Sequence, residues 1–224
     1  MFDNNWDLIN GEDAHGIEVL NQSSVANLIE ALVRYLQHHD GTPSHGCEIC
    51  PRQDILCELH RTGTLLLLRA PGQYRIVDVH VRRQDLTVYQ PPAAGEVPAA
   101  MMAFEQELER MWPTADHITL AAYALWRINW VHPFVNGNGR TARAFAYACV
   151  CLKHGSMLPG TVTMIDLITR SRDDYEAALS HADVSFANTG EPDLLPLENY
   201  VDRLLREQLF SALQVVPAVQ AEAV

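Results

Sequence analysis

Between Asn21 and His39 the apolar residues Val25, Leu28, Ile29, Leu32, Val33 and Leu36 recur at the three- and four-residue steps of an amphipathic helix. Ser23 or Ser24 is its expected N-cap, and Gly41 with Pro43 its expected end. Ile55, Leu56 and Leu59 predict a shorter second helix. After Ala70 to Tyr74 the period changes: YRIVDVHVRR sets Ile76, Asp78 and His80 against Val77, Val79 and Val81, which predicts a strand, with Leu86 to Tyr89 as its hairpin partner. The helical step returns at Ala99 in MMAFEQELERMW and breaks at Pro113. Thr114 or Asp116 then caps HITLAAYALWRINWVHPF. Ile118, Leu120, Tyr123, Leu125, Trp126, Ile128 and Val131 leave that stretch almost no polar face, so it belongs in the middle of a bundle. Thr141 to His154 (ended by Gly155), one or two helices within TMIDLITRSRDDYEAALSHAD, and LENYVDRLLREQLFSAL complete the pattern. The expected fold is an all-α helical bundle with a small β-hairpin. A helical extension is expected over 1–54, the main domain over 55–213 and a fraying tail over 214–224.

Composition narrows the partners. The 224 residues carry 16 Lys+Arg against 28 Asp+Glu, a net charge of −12. So acidic a chain lacks the basic face of a nucleic-acid binder, and any nucleotide it handles is a small one held at a local positive site. No apolar run reaches the length of a bilayer span, and no secretory signal follows Met1. With 5 Cys, an odd number, the chain does not suggest a disulfide framework. The expectation is a cytoplasmic protein with no membrane partner.

The stretch that carries chemistry is HPFVNGNGRTAR, His132 to Arg143, between the most apolar helix and the next. A helix N-terminus presents unpaired N–H groups and the positive end of the macrodipole, which attract phosphate. Gly137 and Gly139 lack Cβ, so the backbone there can take positive φ and approach an anion closely. Arg140 and Arg143 add forked donors, and His132 stands at the mouth with an imidazole suited to proton transfer near neutrality. A phosphate cradle beside a base points to phosphoryl or nucleotidyl transfer.

In this loop the sequence resembles the Fic family, whose signature is HPFx[D/E]GNGRxxR: His132, Pro133, Phe134, Gly137, Asn138, Gly139, Arg140 and Arg143 match in place. PGQYRIVDVHV is similar to the family's flap, YQPPAAGEVPAAM to the proline segment after it, LAAYALWRINWVHPF to the central helix and SRDDYEAALSHAD to the helix after the motif. Together these cover roughly Ile55 to Leu213. The resemblance implies a catalytic domain that transfers AMP from ATP to a Ser, Thr or Tyr hydroxyl of a target protein. On that basis His132 is the catalytic base. Gly137, Asn138 and Gly139 form the anion hole, Arg140 binds the α/β-phosphates, Arg143 the γ-phosphate, and Phe134 anchors the loop. The flap residues Ile76, Val77, Asp78, Val79, His80 and Val81 receive the target as an added strand. Asn136 stands where the AMP-transferring members carry the Asp or Glu that holds Mg²⁺, and a neutral amide oxygen is a poorer ligand for that ion. Phosphoryl transfer by the same loop, or a nucleotide- or protein-binding module without catalysis, are the alternatives.

Two further expectations concern residues outside the loop. His45, Cys47, Cys50, Cys57 and His60 read H-x-C-x₂-C-x₆-C-x₂-H, a partial zinc spacing, but x₆ is short between half-sites and reduced cysteines are favoured. Family members are often silenced by the glutamate of an [ST]-x-x-x-[ED]-[GN] helix that pairs with the second arginine, here Arg143. Asp3, Asp40 and Glu198 are the only acids followed by Gly or Asn, and none has Ser or Thr four residues before it. The expectation is therefore no such inhibition, or a separate inhibitory partner protein.

Overall fold

The computed structural model describes residues 6–9, 11–39, 49–82 and 88–214. His45 and Cys47, the hairpin residues Leu86 and Thr87, and residues 215–224 of the tail lie outside them. Eight α-helices occur among the described residues: α1 (Glu12–His39), α2 (Gln53–Gly63), α3 (Val97–Met111), α4 (His117–Val131), α5 (Asn138–His154), α6 (Met164–Arg170), α7 (Arg172–Thr189) and α8 (Leu195–Leu213). Two short antiparallel strands, β1 (Val81–Arg82) and β2 (Val88–Tyr89), pair Val81 with Tyr89 and Arg82 with Val88. The chain is thus an all-α bundle with a small hairpin.

The central pair is α4 against α5, and both are enclosed because neither sequence offers a polar stripe. On α4 every residue from Leu120 to Trp126 is buried, then Ile128 and Val131. On α5 burial runs unbroken from Ala144 to Leu152, so Cys149 and Cys151 serve as core residues. Asp116 caps α4 by accepting from the Thr119 N–H at 2.8 Å. α2, α3 and α8 pack around the pair, with α6 and α7 closing one side.

The first helix differs from expectation. Ser23 and Ser24 are not its cap but lie in mid-helix, their hydroxyls bonded back to the Val19 and Leu20 carbonyls at 3.3 and 3.0 Å. The helix begins at Glu12, with Glu12 and Asp13 in the first turn where acids suit the dipole. Its C-terminal half joins the main core through Ile29 and Val33, while Ala14 joins Trp6, Leu67 and Leu68 in a small second core.

Candidate active site

The joint between α4 and α5 sets the site. α4 ends at His132, which takes the left-handed conformation (φ 51°, ψ 58°) while its N–H still bonds the Ile128 carbonyl. For a residue with a Cβ that geometry costs roughly 1–2 kcal/mol, so surrounding contacts must impose it. Gly137 then caps α5 at φ 78°. A Cβ there would lie 2.9 Å from Thr64 Cγ2, so glycine is required for both space and conformation. Gly139 does not share that conformation; it is helical, and its bare Cα lets Arg143 Nη1 lie alongside.

Behind the loop the bracing is polar and complete. The Asn138 side chain accepts from the Phe134 N–H and donates to the Phe134 carbonyl, both at 2.8 Å, so its amide is engaged within the loop. The Phe134 ring is fully buried and stacks on His60, centroids 3.7 Å apart and planes 6° from parallel. His60 Nδ1 accepts from the Gly72 N–H at 2.8 Å, so Nε2 carries the proton and donates to the Asn136 carbonyl at 2.9 Å. With both ring nitrogens engaged, His60 is removed from any zinc set. Cys50 and Cys57 are not joined in a disulfide, and no metal-binding group of three or more His, Cys, Asp or Glu occurs among the described residues.

Burial lowers the His60 pKa from 6.5 to about 4, against the pull of the Asn136 carbonyl. The unfolded chain therefore takes up this proton first. The stability that neutral His60 represents is complete above pH 6.5 and is lost as pH falls toward 4. Going from pH 7 to 5 should cost about 2 kcal/mol through this residue, read by urea unfolding. A His60 ring that titrates near 6.5 by NMR in the folded protein would contradict this.

His132 is the partly buried counterpart of that histidine. Burial, reinforced by the Arg75 charge and opposed by the Asn129 carbonyl, brings its pKa down to about 4. Its Nδ1 is enclosed, and the Asn129 carbonyl lies outside hydrogen-bond geometry, so Nε2 is the nitrogen left to meet a substrate. Beyond it lie the arginines. Arg143 Nε is buried without a hydrogen-bond partner, and among the described residues no carboxylate pairs with Arg143. Burial lowers its pKa, and the Arg140 and Arg172 charges act in the same direction against Tyr175 and Tyr200. The charge of Arg172, at the first position of α7, thus reaches the motif; its place in SRDDY was its only sequence signal. Arg140 is held differently. Its Nη2 lies 3.2 Å from Glu18 Oε1, and its guanidinium sits 4.9 Å from the Trp6 ring centroid. The carboxylate in the site therefore meets the first arginine of the motif rather than the second.

Asn136 Oδ1 accepts from the Gly137 N–H at 2.7 Å. The neutral oxygen of the residue expected at the metal position is thus turned onto the loop's own backbone.

The flap corrects the strand expected from alternation. Ile76 to His80 form no strand, and only Val81 and Arg82 pair with β2. Side chains take the backbone groups that a ladder would use: Arg75 Nη1 bonds the Val77 carbonyl at 3.1 Å, and Gln90 Nε2 the Val79 carbonyl at 3.5 Å. Asp78 is turned to the Ala94 N–H at 2.7 Å. Ile76 is 91% exposed and Val77 53%.

Residues 50–150 match the family model described as the Fic/DOC family. Residues 50–150 belong to the Fic/DOC family. This Fic segment holds the loop, α4 and the flap. A protein adenylyltransferase Fic of Nematostella vectensis is 34% identical over 131 residues, covering 57% of this chain and 28% of the relative. One from Drosophila persimilis is 39% identical over 94 residues, 41% of this chain and 17% of the relative. The matched stretch is thus under a third of each relative's length. Among solved structures, a Fic family protein from Desulfovibrio desulfuricans superposes with a TM-score of 0.69 at 20% identity, covering 95% of this chain and 57% of that one. Fic-1 from C. elegans gives 0.62 at 24% identity, covering 88% and 50%. The Fic helical fold therefore extends over nearly the whole chain. No helix among the described residues is long and apolar enough to cross a membrane.

Proposed function

We propose that the chain transfers AMP from ATP to a hydroxyl of a target protein. The observation that carries this reading is a neutral imidazole just before the N-terminus of α5, together with an enclosed arginine on that helix that pairs with no carboxylate among the described residues. The target oxygen attacks the α-phosphorus, His132 Nε2 takes its proton, the bond to the bridging oxygen breaks, and pyrophosphate leaves. The first-turn N–H groups at Asn138 and Gly139 have no intrahelical partner by position and meet the charge that grows on the α-phosphate. Asn138 serves through its backbone, since its side chain is held by Phe134. Arg140 and Arg143 hold the phosphates, with Arg172 adding positive charge. The segment Ile76 to Val81 takes the target as an added strand through the backbone groups that Arg75, Gln90 and β2 leave open. The relatives named protein adenylyltransferase Fic support AMP transfer as the reading.

Asn136 does not make a protein-held Mg²⁺ site: it offers one uncharged oxygen, already bonded to Gly137. Any Mg²⁺ arrives as the complex with ATP. Asn136→Asp should supply the missing charge at nearly constant volume, speeding transfer at low Mg²⁺ by about tenfold if about 1.4 kcal/mol is recovered. Calorimetry should show tighter Mg²⁺ binding to the ATP complex. An unchanged rate across a full Mg²⁺ titration removes Asn136 from the metal position.

The covered Gly137 N–H favours a second reading, in which the loop binds nucleotide without transfer. Labelled ATP separates the two. Label from the α-phosphate on protein supports AMP transfer, label from the γ-phosphate indicates phosphoryl transfer, and neither leaves a binding module.

A further inference from the structure

Arg75 is 2% exposed, yet among the described residues no carboxylate hydrogen-bonds it. The nearest, Asp78, is 3.8 Å from Nη1 and is turned to the Ala94 N–H. A buried cation needs compensation, and here carbonyls supply it. Nε donates to the His132 carbonyl at 2.8 Å and Nη1 to Val77 at 3.1 Å. Nη2 donates to Pro92 at 2.5 Å and more distantly to Val131 at 3.4 Å. The Arg75 backbone N–H donates to the Pro133 carbonyl at 2.8 Å. The Val131 and His132 carbonyls lie at the end of α4, where the helix leaves its last carbonyls without partners and the dipole is negative. One guanidinium therefore joins the stem of the flap, the proline segment and both peptides flanking the left-handed turn at His132.

We propose that Arg75 is a positioning residue: it holds His132 in its left-handed conformation, so setting where Nε2 points, and ties that setting to the flap. Lysine keeps the charge but has no fork, and one ammonium cannot serve the Val77, Pro92 and His132 carbonyls together. The kinetic consequence rests on the AMP-transfer reading above, because a base displaced by about 1 Å loses on the order of 10²-fold in rate while the phosphate cradle is untouched.

The test is Arg75→Lys, first checked for folding by urea unfolding. The expected result is a kcat lower by about 100-fold with the KM for ATP within about twofold of the parent. Parent-like kcat, or a loss of ATP affinity matching the loss of rate, overturns the proposal. A second measurement uses the unaltered protein and needs no activity. By ¹⁵N NMR the Arg75 Nε–H should exchange slowly with solvent, and its shift should follow the protonation of His132. Fast exchange, or a shift indifferent to His132, overturns the proposal even where the lysine variant fails to fold. Should the parent transfer no AMP, the functional reading falls while the NMR result still decides the role of Arg75.

Discussion

Replacing His132 by glycine is expected to lower AMP transfer by about 10³-fold or more, the scale of a lost general base, while ATP binding survives and the protein is no less stable. These outcomes have separate physical origins. The rate falls because no other base is free for the hydroxyl proton among the described residues of the α4–α5 joint: Asn129 and Asn136 are amides, the arginines stay protonated, and Glu18 is engaged by Trp6 and Arg140. Binding survives because the cradle is made of backbone and guanidinium groups. Stability holds because φ at this position is 51°, which glycine adopts without penalty, and because the enclosed, unpaired Nδ1 disappears with the ring. His132→Ala should be equally inactive but less stable than the glycine variant, since alanine keeps a Cβ in the left-handed turn. The pH profile adds a further check. The base works when neutral, so kcat/KM should be flat through neutrality and be lost only as pH falls toward about 4, the lowered pKa of His132. Half-loss near 6.5, the ordinary histidine value, or transfer by His132→Gly at the parent rate, would remove His132 from the role of base.

The loop was readable from sequence because its chemistry is local. Gly137 must turn left-handed, Arg140 and Arg143 must follow at the start of a helix, and α4 must be apolar to deliver His132 there. Cys149 and Cys151 are buried on α5, and so is Phe134, which the family resemblance casts as the anchor of the loop. The misreadings share a cause in contacts that join distant segments. Alternation over Ile76 to Val81 is a local signal, but Arg75 draws that segment toward Pro92, Val131 and His132, and the strand shrinks to Val81 and Arg82. Ser23 and Ser24 have the chemistry of caps, yet eleven and twelve residues of helix precede them because Ala14 and Ile17 find Leu67 and Leu68 to pack against. His60 sat at a metal-like spacing from cysteines, and only the fold places its ring between Phe134, Gly72 and Asn136. Arg172 and Glu18 reach the motif from α7 and α1, elements with no sequence pattern in common with it.

Glu18→Gln is expected to tighten ATP binding by roughly tenfold, equivalent to about 1.4 kcal/mol. Glu18 is 8% exposed, accepts from Trp6 Nε1, and places an oxygen 3.2 Å from Arg140 Nη2. A phosphate that takes this arginine must displace the carboxylate from one arm of the fork and then remain beside its negative charge. Unit charges about 6 Å apart at an effective dielectric constant of about 20 repel by roughly 3 kcal/mol, so even partial screening leaves a measurable penalty. Against this, Glu18 helps to hold Arg140 in place, and losing that order weakens binding. The repulsion should win, because the Trp6 ring still stacks on the guanidinium at 4.9 Å when the charge is gone. Glutamine is the informative substitution: it keeps an acceptor for the buried Trp6 N–H, whereas alanine leaves that donor unsatisfied and costs about 1–3 kcal/mol of stability. Calorimetric titration with ATP at low and high salt reads the effect, and the gain should shrink as salt screens the charge. Unchanged or weaker binding in Glu18→Gln would mean that Glu18 orients Arg140 for phosphate instead of competing with it, and the N-terminal segment would then be part of the binding site.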